Sequence, residues 1–94
     1  MILSNPHNPT VRCWSRAELE RVGKLCADNG VVLVSNEIHG DLIMWGHRHV
    51  SVGTLSENTV NNEIVLNAPS KTFNLAGMQT GYAIIPNPEL RENL

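Results

Sequence analysis

The sequence predicts an α/β fold built on a mostly parallel sheet. Two short apolar runs, Val31–Val34 and Ile64–Leu66, lack the alternation of a half-exposed strand, which is typical of strands buried in a parallel sheet. A helical pattern precedes the first run, and turn-forming residues surround both. With 94 residues, the chain has room for at most one small domain.

The first part of the chain is predicted to form a strand, a loop and a helix. A short apolar segment at positions 2–3 ends at two Asn-Pro steps, because proline removes a backbone donor and restricts the residue before it. Ser15, with Glu18 three positions later, forms a capping box that opens a helix, and Gly30 ends it. The apolar residues of this helix recur at helical spacing: Leu19, Val22, Leu25 and Cys26.

The second part contains shorter elements. Residues 41–62 are irregular, with one helical turn predicted near Thr54–Glu57. Ile64–Leu66 is the second buried strand, and Gly81–Ile85, which is closed by two prolines, is a third. A terminal helix is predicted to begin at Pro88, because proline is favoured in the first helical turn.

Composition and charge argue against two classes of partner. Seven Lys and Arg stand against nine Asp and Glu, and no basic cluster suits a nucleic-acid backbone. No apolar run approaches the roughly 20 residues that span a bilayer, and no secretory leader is recognisable. We therefore expect a cytoplasmic protein that binds neither nucleic acid nor membrane. Cys13 and Cys26 lack the spacing of a zinc or redox motif and are expected to be reduced thiols.

Lys71 is the first candidate for chemistry. It follows the strand Ile64–Leu66 and lies between Ser70 and Thr72, where an amine can be desolvated and its pKa lowered, as a covalent nucleophile requires. Polar residues 35–37, after the first buried strand, fall at the same sheet edge, where α/β folds bind ligands. Taken alone, a lysine after a strand is more often a solvated surface group.

Three segments, taken in their order along the chain, make a catalytic role of Lys71 more favoured than its position alone does. They are Ser4–Thr10 (Ser-Asn-Pro-His-Asn-Pro-Thr), Val34–His39 (Val-Ser-Asn-Glu-Ile-His) and Ala68–Asn74 (Ala-Pro-Ser-Lys-Thr-Phe-Asn). In order and spacing, the set resembles the fold-type I aminotransferase superfamily. It most closely resembles the branch of cystathionine β-lyase-like enzymes, which cleave carbon–sulfur bonds of cysteine conjugates. The resemblance covers nearly the whole chain. It implies pyridoxal 5'-phosphate as cofactor, an amino acid as substrate and a homodimer in the full-length enzyme.

Five side chains take cofactor roles if the resemblance holds. Lys71 would carry the cofactor as an internal aldimine and would move the substrate Cα proton. Asn8 would donate its amide to the phenolic oxygen of the cofactor, and Ser70 would help to hold the phosphate. Asn36 takes the position that faces the pyridine nitrogen, and His39 would lie near the same edge of the ring. The resemblance implies no metal.

The sequence departs from the pattern of the family at several positions, one of which is Ala68, where many relatives offer another phosphate-binding hydroxyl. Asn36 stands where an aspartate is expected, and a neutral amide supplies no charge to keep the pyridine nitrogen protonated, so we expect weaker carbanion stabilisation. Val11 stands where a glycine follows Asn-Pro-Thr, and a positive φ there would strain a β-branched residue by roughly 1–3 kcal/mol. Gln79 stands where many aminotransferases place an arginine, which favours the lyase-like branch.

We therefore expect residues 1–94 to be the central part of a pyridoxal-phosphate-binding large domain, a fragment of a longer enzyme. By analogy with the family, its strand Gly81–Ile85 is antiparallel, and helices flank the sheet. In the lyase reaction, Lys71 removes the Cα proton, a thiolate leaves from Cβ, and hydrolysis gives pyruvate and ammonia. The 94-residue chain alone is expected to be inactive, and an exposed sheet edge and apolar face are expected on it.

Three alternatives remain open from the sequence. The first is an aminotransferase acting on amino acids and 2-oxo acids, and the second is a non-catalytic remnant of the family. The third is a metal-binding module, because several potential ligands lie close together in the sequence: Glu37, His39, Asp41, His47 and His49. Their spacing matches no familiar zinc pattern, which argues against this third alternative.

Overall fold

A four-stranded sheet forms the centre of the computed structural model, which describes residues 1–44 and 46–94. Its strands are β1 (Ile2–Ser4), β2 (Leu33–Asn36), β3 (Glu63–Asn67) and β4 (Tyr82–Ile84). They lie side by side in chain order, with β1, β2 and β3 parallel to one another and β4 antiparallel to β3. The predicted α/β class, with its mostly parallel sheet and antiparallel last strand, is confirmed.

In the described ranges, four helices accompany the sheet: α1 (Arg16–Asp28), α2 (Glu57–Val60), α3 (Pro69–Thr72) and α4 (Pro88–Glu92). Helix α4 begins at Pro88 as predicted. The single helical turn expected near Thr54–Glu57 is instead two turns, a 3₁₀ turn at Val52–Thr54 and α2. Neither α3 nor a second 3₁₀ turn, Ala76–Met78, was predicted. None of the helices in the described ranges is long and apolar enough to cross a membrane.

Helix α1 has the ends that the sequence predicts. The Ser15 hydroxyl accepts from the backbone N–H of Glu18, whose carboxylate accepts from the Ser15 N–H in return. At the other end, Gly30 has a φ of +64° and donates to Ala27. The N–H of Val31 reaches back to the carbonyl of Cys26 at 2.8 Å, which completes a Schellman motif.

Because of this motif, the second strand begins later in the chain than predicted. Because Val31 still satisfies the end of α1, β2 begins at Leu33 and not at Val31, and it extends to Asn36. The expectation of burial on both faces is met only in part. Leu33 and Ser35 are fully buried, whereas Val34 and Asn36 on the opposite face are half-buried.

The hydrophobic core lies on one face of the sheet, between the strands, α1 and the segment around the first 3₁₀ turn. Its buried members are Leu3, Leu19, Cys26, Leu33, Val52, Leu55 and Val65. The predicted apolar stripe of α1 is therefore confirmed for Leu19 and Cys26. Leu25 is 62 % exposed, so its place in the stripe is wrong, and Gly23 is the residue that packs closely, against Thr59.

Both outer strands leave apolar side chains open to solvent. Ile2 on β1 is 83 % exposed, and Tyr82 and Ile84 on β4 are about half exposed. In the described part of the chain, neither outer strand pairs with a further strand. The exposed edges and apolar surface expected for this chain are present.

Candidate active site

The three parallel strands end at one edge of the sheet, and the three segments singled out in the sequence follow them there. Ser4 pairs with Asn36, and Asn36 pairs with Leu66, so the carboxyl ends of β1, β2 and β3 are level. The ladder continues one residue further, because the N–H of Asn5 donates to Asn36 at 2.9 Å and that of Glu37 donates to Leu66 at 2.8 Å. In α/β sheets this edge is where ligands bind.

The loop after β1 carries Asn8 at its exposed tip. Its base is closed by two backbone bonds, from His7 N–H to Arg12 at 2.8 Å and from Val11 N–H to His7 at 2.7 Å. Val11 has a φ of +57°, in the left-handed region where only glycine is free of steric cost. The strain expected at Val11 from the sequence is therefore present in the backbone.

Asn8 and His39 lie together. They line one cavity of about 110 Å³, whose other walls include Pro9, Val11 and Leu42. The loop after β1 and the turn after β2 thus meet in space, although 31 positions separate the two side chains in the sequence. The sheet register explains this proximity, because β1 and β2 are neighbouring parallel strands.

Asn36 is the last residue of β2 and points to the half-buried face of the sheet. Its Oδ1 accepts from the N–H of Ile38 at 3.3 Å. Because a backbone N–H can only donate, the atom that it meets must be the oxygen, and the Nδ2 group of Asn36 is directed away from this turn. Asn36 lines a second, open cavity of about 400 Å³, together with Leu66, Ala68 and Tyr82.

Ser70 and Lys71 lie in α3, one turn of helix directly after β3. Lys71 is exposed within these 94 residues, because α3 lies at the surface, so this part of the chain does not by itself desolvate the amine. Its neighbour Thr72 donates its hydroxyl to Asp41 at 2.9 Å and so joins α3 to the turn that carries His39. Ser70 is half-buried and lines a third cavity, of about 100 Å³.

The structure therefore brings the five predicted residues to one sheet edge but not into one cavity. Asn8 and His39 share a cavity, whereas Asn36 and Ser70 line separate ones. Within the described residues, the side chains of four candidates make no hydrogen bond: Asn8, His39, Ser70 and Lys71. At this ligand-binding edge, the fold therefore leaves an amide, an imidazole, a hydroxyl and an amine without hydrogen-bond partners among the described residues. Such groups suit a cofactor that carries both a phosphate and a polar ring.

A hydrogen-bonded pair, the buried Glu37 and the half-buried His49, was not foreseen from the sequence. Glu37 is 2 % exposed, and its carboxylate accepts from the Nε2 of His49 at 3.0 Å. The same carboxylate accepts from the hydroxyl of Ser35 at 3.0 Å and from the N–H of Val52 at 2.9 Å. Burial acts to raise the pKa of Glu37, but the hydrogen bonds from His49 and Val52 outweigh it and leave the pKa lowered.

This pairing also bears on the metal-binding alternative. Among residues 1–44 and 46–94, no group of three or more histidine, cysteine or acidic side chains is placed to hold a metal ion. Glu37 and His49 bond to each other, and Asp41 accepts from Thr72. The strand alternation after Ser35 could have predicted that Glu37 faces the core, whereas nothing in the local sequence identifies His49 as its partner.

Glu63 is a second buried carboxylate that the sequence did not single out. It opens β3, is completely buried, and neither of its oxygens has a hydrogen-bond partner among the described residues. Burial, reinforced by the negative charges of Glu37 and Glu20, raises the pKa of Glu63 to about 7. Its signal in the sequence is an acidic residue directly before an apolar strand, which is also a common surface pattern.

A family model described as aminotransferase class I and II matches residues 1–94. The chain is 49 % identical over 86 residues to the cystathionine β-lyase PatB of Bacillus subtilis, a match that covers 92 % of this chain and 22 % of PatB. It is 36 % identical over 83 residues to an aspartate aminotransferase of Bacillus sp. strain YM-2, covering 88 % and 21 %. The chain thus spans about a fifth of the length of these curated relatives.

Solved structures give the same result. Cystalysin from Treponema denticola, a structure that contains pyridoxal 5'-phosphate, superposes with a TM-score of 0.91 at 41 % identity and covers 97 % of this chain and 23 % of its own. The pyridoxal-phosphate-bound C–S lyase from Staphylococcus hominis superposes with a TM-score of 0.86 at 37 % identity, covering 98 % and 23 %. The predicted resemblance to pyridoxal-phosphate enzymes of this fold is confirmed.

Proposed function

The chain belongs to the aminotransferase class I and II family, and we propose that residues 1–94 form the central part of the pyridoxal-phosphate-binding large domain of a longer C–S lyase. The proposed reaction is the cleavage of cysteine S-conjugates such as cystathionine by β-elimination. The observation that carries this proposal is the 49 % identity to the lyase PatB, against 36 % to an aspartate aminotransferase. The glutamine at position 79, where many aminotransferases carry an arginine, supports the same choice.

The proposed roles follow the positions of the side chains at the sheet edge. Lys71 would hold the cofactor through its amine and would move the proton at the substrate Cα. Ser70, directly before it, donates to the phosphate, and Asn8 and His39, which share a cavity, contact the ring substituents on one side. Bound pyridoxal phosphate supplies the electron sink for the substrate carbanion.

Asn36 is proposed to contact the pyridine nitrogen through its Nδ2. Because its Oδ1 is occupied by the N–H of Ile38, the free group is a donor, which suits an unprotonated nitrogen. An electron sink without that proton is weaker, so a slow reaction is expected of the native sequence. The combination of Asn36 with a strained Val11 also supports the alternative that this member of the family is a non-catalytic remnant.

Transamination is the second candidate reaction, supported by the identity to aspartate aminotransferases. Both reactions would begin with removal of the Cα proton by the same lysine. The proposal for the longer protein includes a homodimer and a cytoplasmic location, which are expectations from the family resemblance and the sequence. Gel filtration and cell fractionation of the longer protein test them.

The first experiment mixes the purified protein with pyridoxal phosphate, follows the absorbance, reduces with borohydride and maps the modified residue by mass spectrometry. We expect one adduct on Lys71, and none there in Lys71→Ala. The matched control is Lys24→Ala, because Lys24 is exposed on α1, is paired with Asp28 and lies outside the three segments that follow the strands. Label spread over both lysines, or no label, would reject cofactor binding at this site.

A further inference from the structure

We propose that Glu37 and His49 are positioning residues for the cofactor site: they attach the turn after β2 to the largely half-buried segment His49–Val52, to which Asn5 also attaches the loop after β1, and so keep the two loops at a fixed separation. Neither residue is assigned a contact with the cofactor or the substrate. The inference rests on the proposed function for the identity of the bound group. Hydrogen exchange tests the anchoring without cofactor, so its result does not depend on the proposed function.

The first step is the direction in which Glu37 points. Side chains alternate along an extended strand, and Ser35 and Glu37 are both buried while Asn36 between them lies on the opposite face. Glu37 therefore extends into the core while Asn36 is presented toward the open cavity. Asn36 and Glu37 share one peptide bond, so a shift of the Glu37 backbone would also shift Asn36.

The second step is the set of partners that fixes Glu37. Its Oε1 accepts from the N–H of Val52 and its Oε2 from the Nε2 of His49, so both ends of the segment His49–Val52 donate to one carboxylate. Charge-assisted hydrogen bonds of this kind are stronger than neutral ones, and burial strengthens them further. The turn after β2 is thereby attached to this segment at two points.

The third step is the close packing of His49 on the turn itself. A Cβ atom placed on Gly40 would lie 3.0 Å from both the Cδ2 and the Nε2 of the His49 ring. The ring therefore lies directly over the backbone of Gly40, next to His39, and a side chain at position 40 would displace it. Because a carboxylate only accepts, the Nε2 of His49 carries a proton in this hydrogen bond.

The fourth step connects the other loop to the same segment. Asn5, which directly follows β1, is completely buried, and its Nδ2 donates to the carbonyl of Val50 at 2.8 Å. Its backbone N–H also donates to Asn36. The loop that carries Asn8 and the turn that carries His39 are therefore both attached to residues 49–52, and the side chains of Asn8 and His39 line one cavity.

Two variants of His49 separate its hydrogen bond from its bulk. His49→Gln keeps an N–H donor at the position of Nε2, whereas His49→Leu fills space without a donor. His47→Leu is the control, because His47 is exposed and makes no side-chain hydrogen bond in the described residues. Val52→Ala is a second control: it creates a cavity in the same segment but keeps the N–H that donates to Glu37.

The first test is amide hydrogen exchange of the protein without cofactor. We expect His49→Leu to raise exchange in both loops, residues 6–12 and 37–42, by about tenfold or more. His49→Gln and His47→Leu should leave both loops as in the parent. Faster exchange in His49→Leu confined to residues 47–53, with both loops unchanged, would overturn the proposal whether or not the cofactor binds.

The second test is the dissociation constant of pyridoxal phosphate, measured beside the melting temperature of each variant without cofactor. We expect His49→Leu to weaken binding by about tenfold or more, His49→Gln to restore most of it, and Val52→Ala to lower the melting temperature with little change in affinity. Equal loss of affinity in Val52→Ala and His49→Leu at equal melting temperature would mean that the pair only stabilises the fold. A parent that binds no cofactor would reject the proposed function, and the exchange result would still decide the anchoring.

Discussion

Thr72 donates its hydroxyl to the carboxylate of Asp41 at 2.9 Å, and this contact joins the helix of Lys71 to the turn of His39. Thr72→Val removes the donor at nearly constant shape, whereas Asp41→Asn keeps an oxygen that can accept. Because the contact is exposed, we expect Thr72→Val to lower the free energy of unfolding by less than about 1 kcal/mol. We expect the labelling of Lys71 by pyridoxal phosphate and borohydride to fall severalfold in Thr72→Val and to persist in Asp41→Asn. Equal labelling in the two variants would show that this contact does not position the lysine.

Replacing Val11 by glycine should stabilise the protein. Val11 has a φ of +57°, which costs a β-branched residue more than the chain entropy that a glycine adds to the unfolded state, so a net gain of about 1 kcal/mol is expected. Val31→Gly is the matched control, because Val31 is partly exposed and is not one of the positive-φ residues of the described backbone. In urea unfolding, the free energy of unfolding should be higher than that of the parent in Val11→Gly and lower in Val31→Gly. A loss of stability in Val11→Gly would mean that the valine side chain contributes more by packing than its backbone costs.

Glu63 should make stability depend on pH. Its pKa is raised from the ordinary value of 4.5 to about 7, so the folded protein keeps the proton to a higher pH than the unfolded chain does. The stabilisation is fully present below about pH 4.5 and is lost as the pH rises through about 7. Glu63→Gln removes this titration. We expect the free energy of unfolding of this variant to be close to that of the parent near pH 5 and to exceed it by up to roughly 3 kcal/mol near pH 8.

Urea unfolding of both proteins at the two pH values measures this difference. Glu57→Gln is the control. Because Glu57 is exposed on α2, this variant should change the free energy of unfolding by the same small amount at both pH values. A constant difference between Glu63→Gln and the parent at the two pH values would place the titration of Glu63 outside this range.

Asn36→Asp should change the protonation of the bound cofactor. A carboxylate at position 36 keeps an oxygen for the N–H of Ile38 and adds a negative charge toward the open cavity. With ¹⁵N-labelled pyridoxal phosphate, we expect the pyridine nitrogen to be unprotonated in the parent and protonated in the variant near pH 7. Asn67→Asp is the control, because Asn67 lines the same cavity but ends the neighbouring strand. Protonation in both variants would mean that any added charge suffices, and protonation in neither would place the ring elsewhere.

The elements that local sequence determines were predicted well. The cap of α1 at Ser15 and its end at Gly30 follow from hydrogen bonds within a few residues, which a sequence displays directly. The start of β2 was wrong by two residues, because the Schellman bond from Val31 to Cys26 competes with the strand, and propensity alone does not rank the two. Helix α3 was missed because a single turn of four residues leaves no periodic pattern.

The candidate site shows the same division. The three segments and their common sheet edge were predictable, since parallel strands place their carboxyl ends together. The assignment of Asn8, Asn36, His39, Ser70 and Lys71 to a cofactor stays a prediction. What no local pattern contained was the pairing of Glu37 with His49 and of Asn5 with Val50, because both cross long stretches of chain and depend on the completed core.

The side-by-side order of β1, β2, β3 and β4 has a consequence for synthesis on the ribosome. Each strand pairs with the one made just before it: Ile2 meets Val34, Leu33 meets Glu63, and Val65 meets Ile84. Among the four strands of residues 1–44 and 46–94, none is inserted between two earlier ones, so the closure of each pairing loop involves only about 20 to 30 residues. The sheet edge that carries Asn8, Asn36 and Lys71 can therefore be assembled in the order of translation, strand by strand, as the nascent chain emerges.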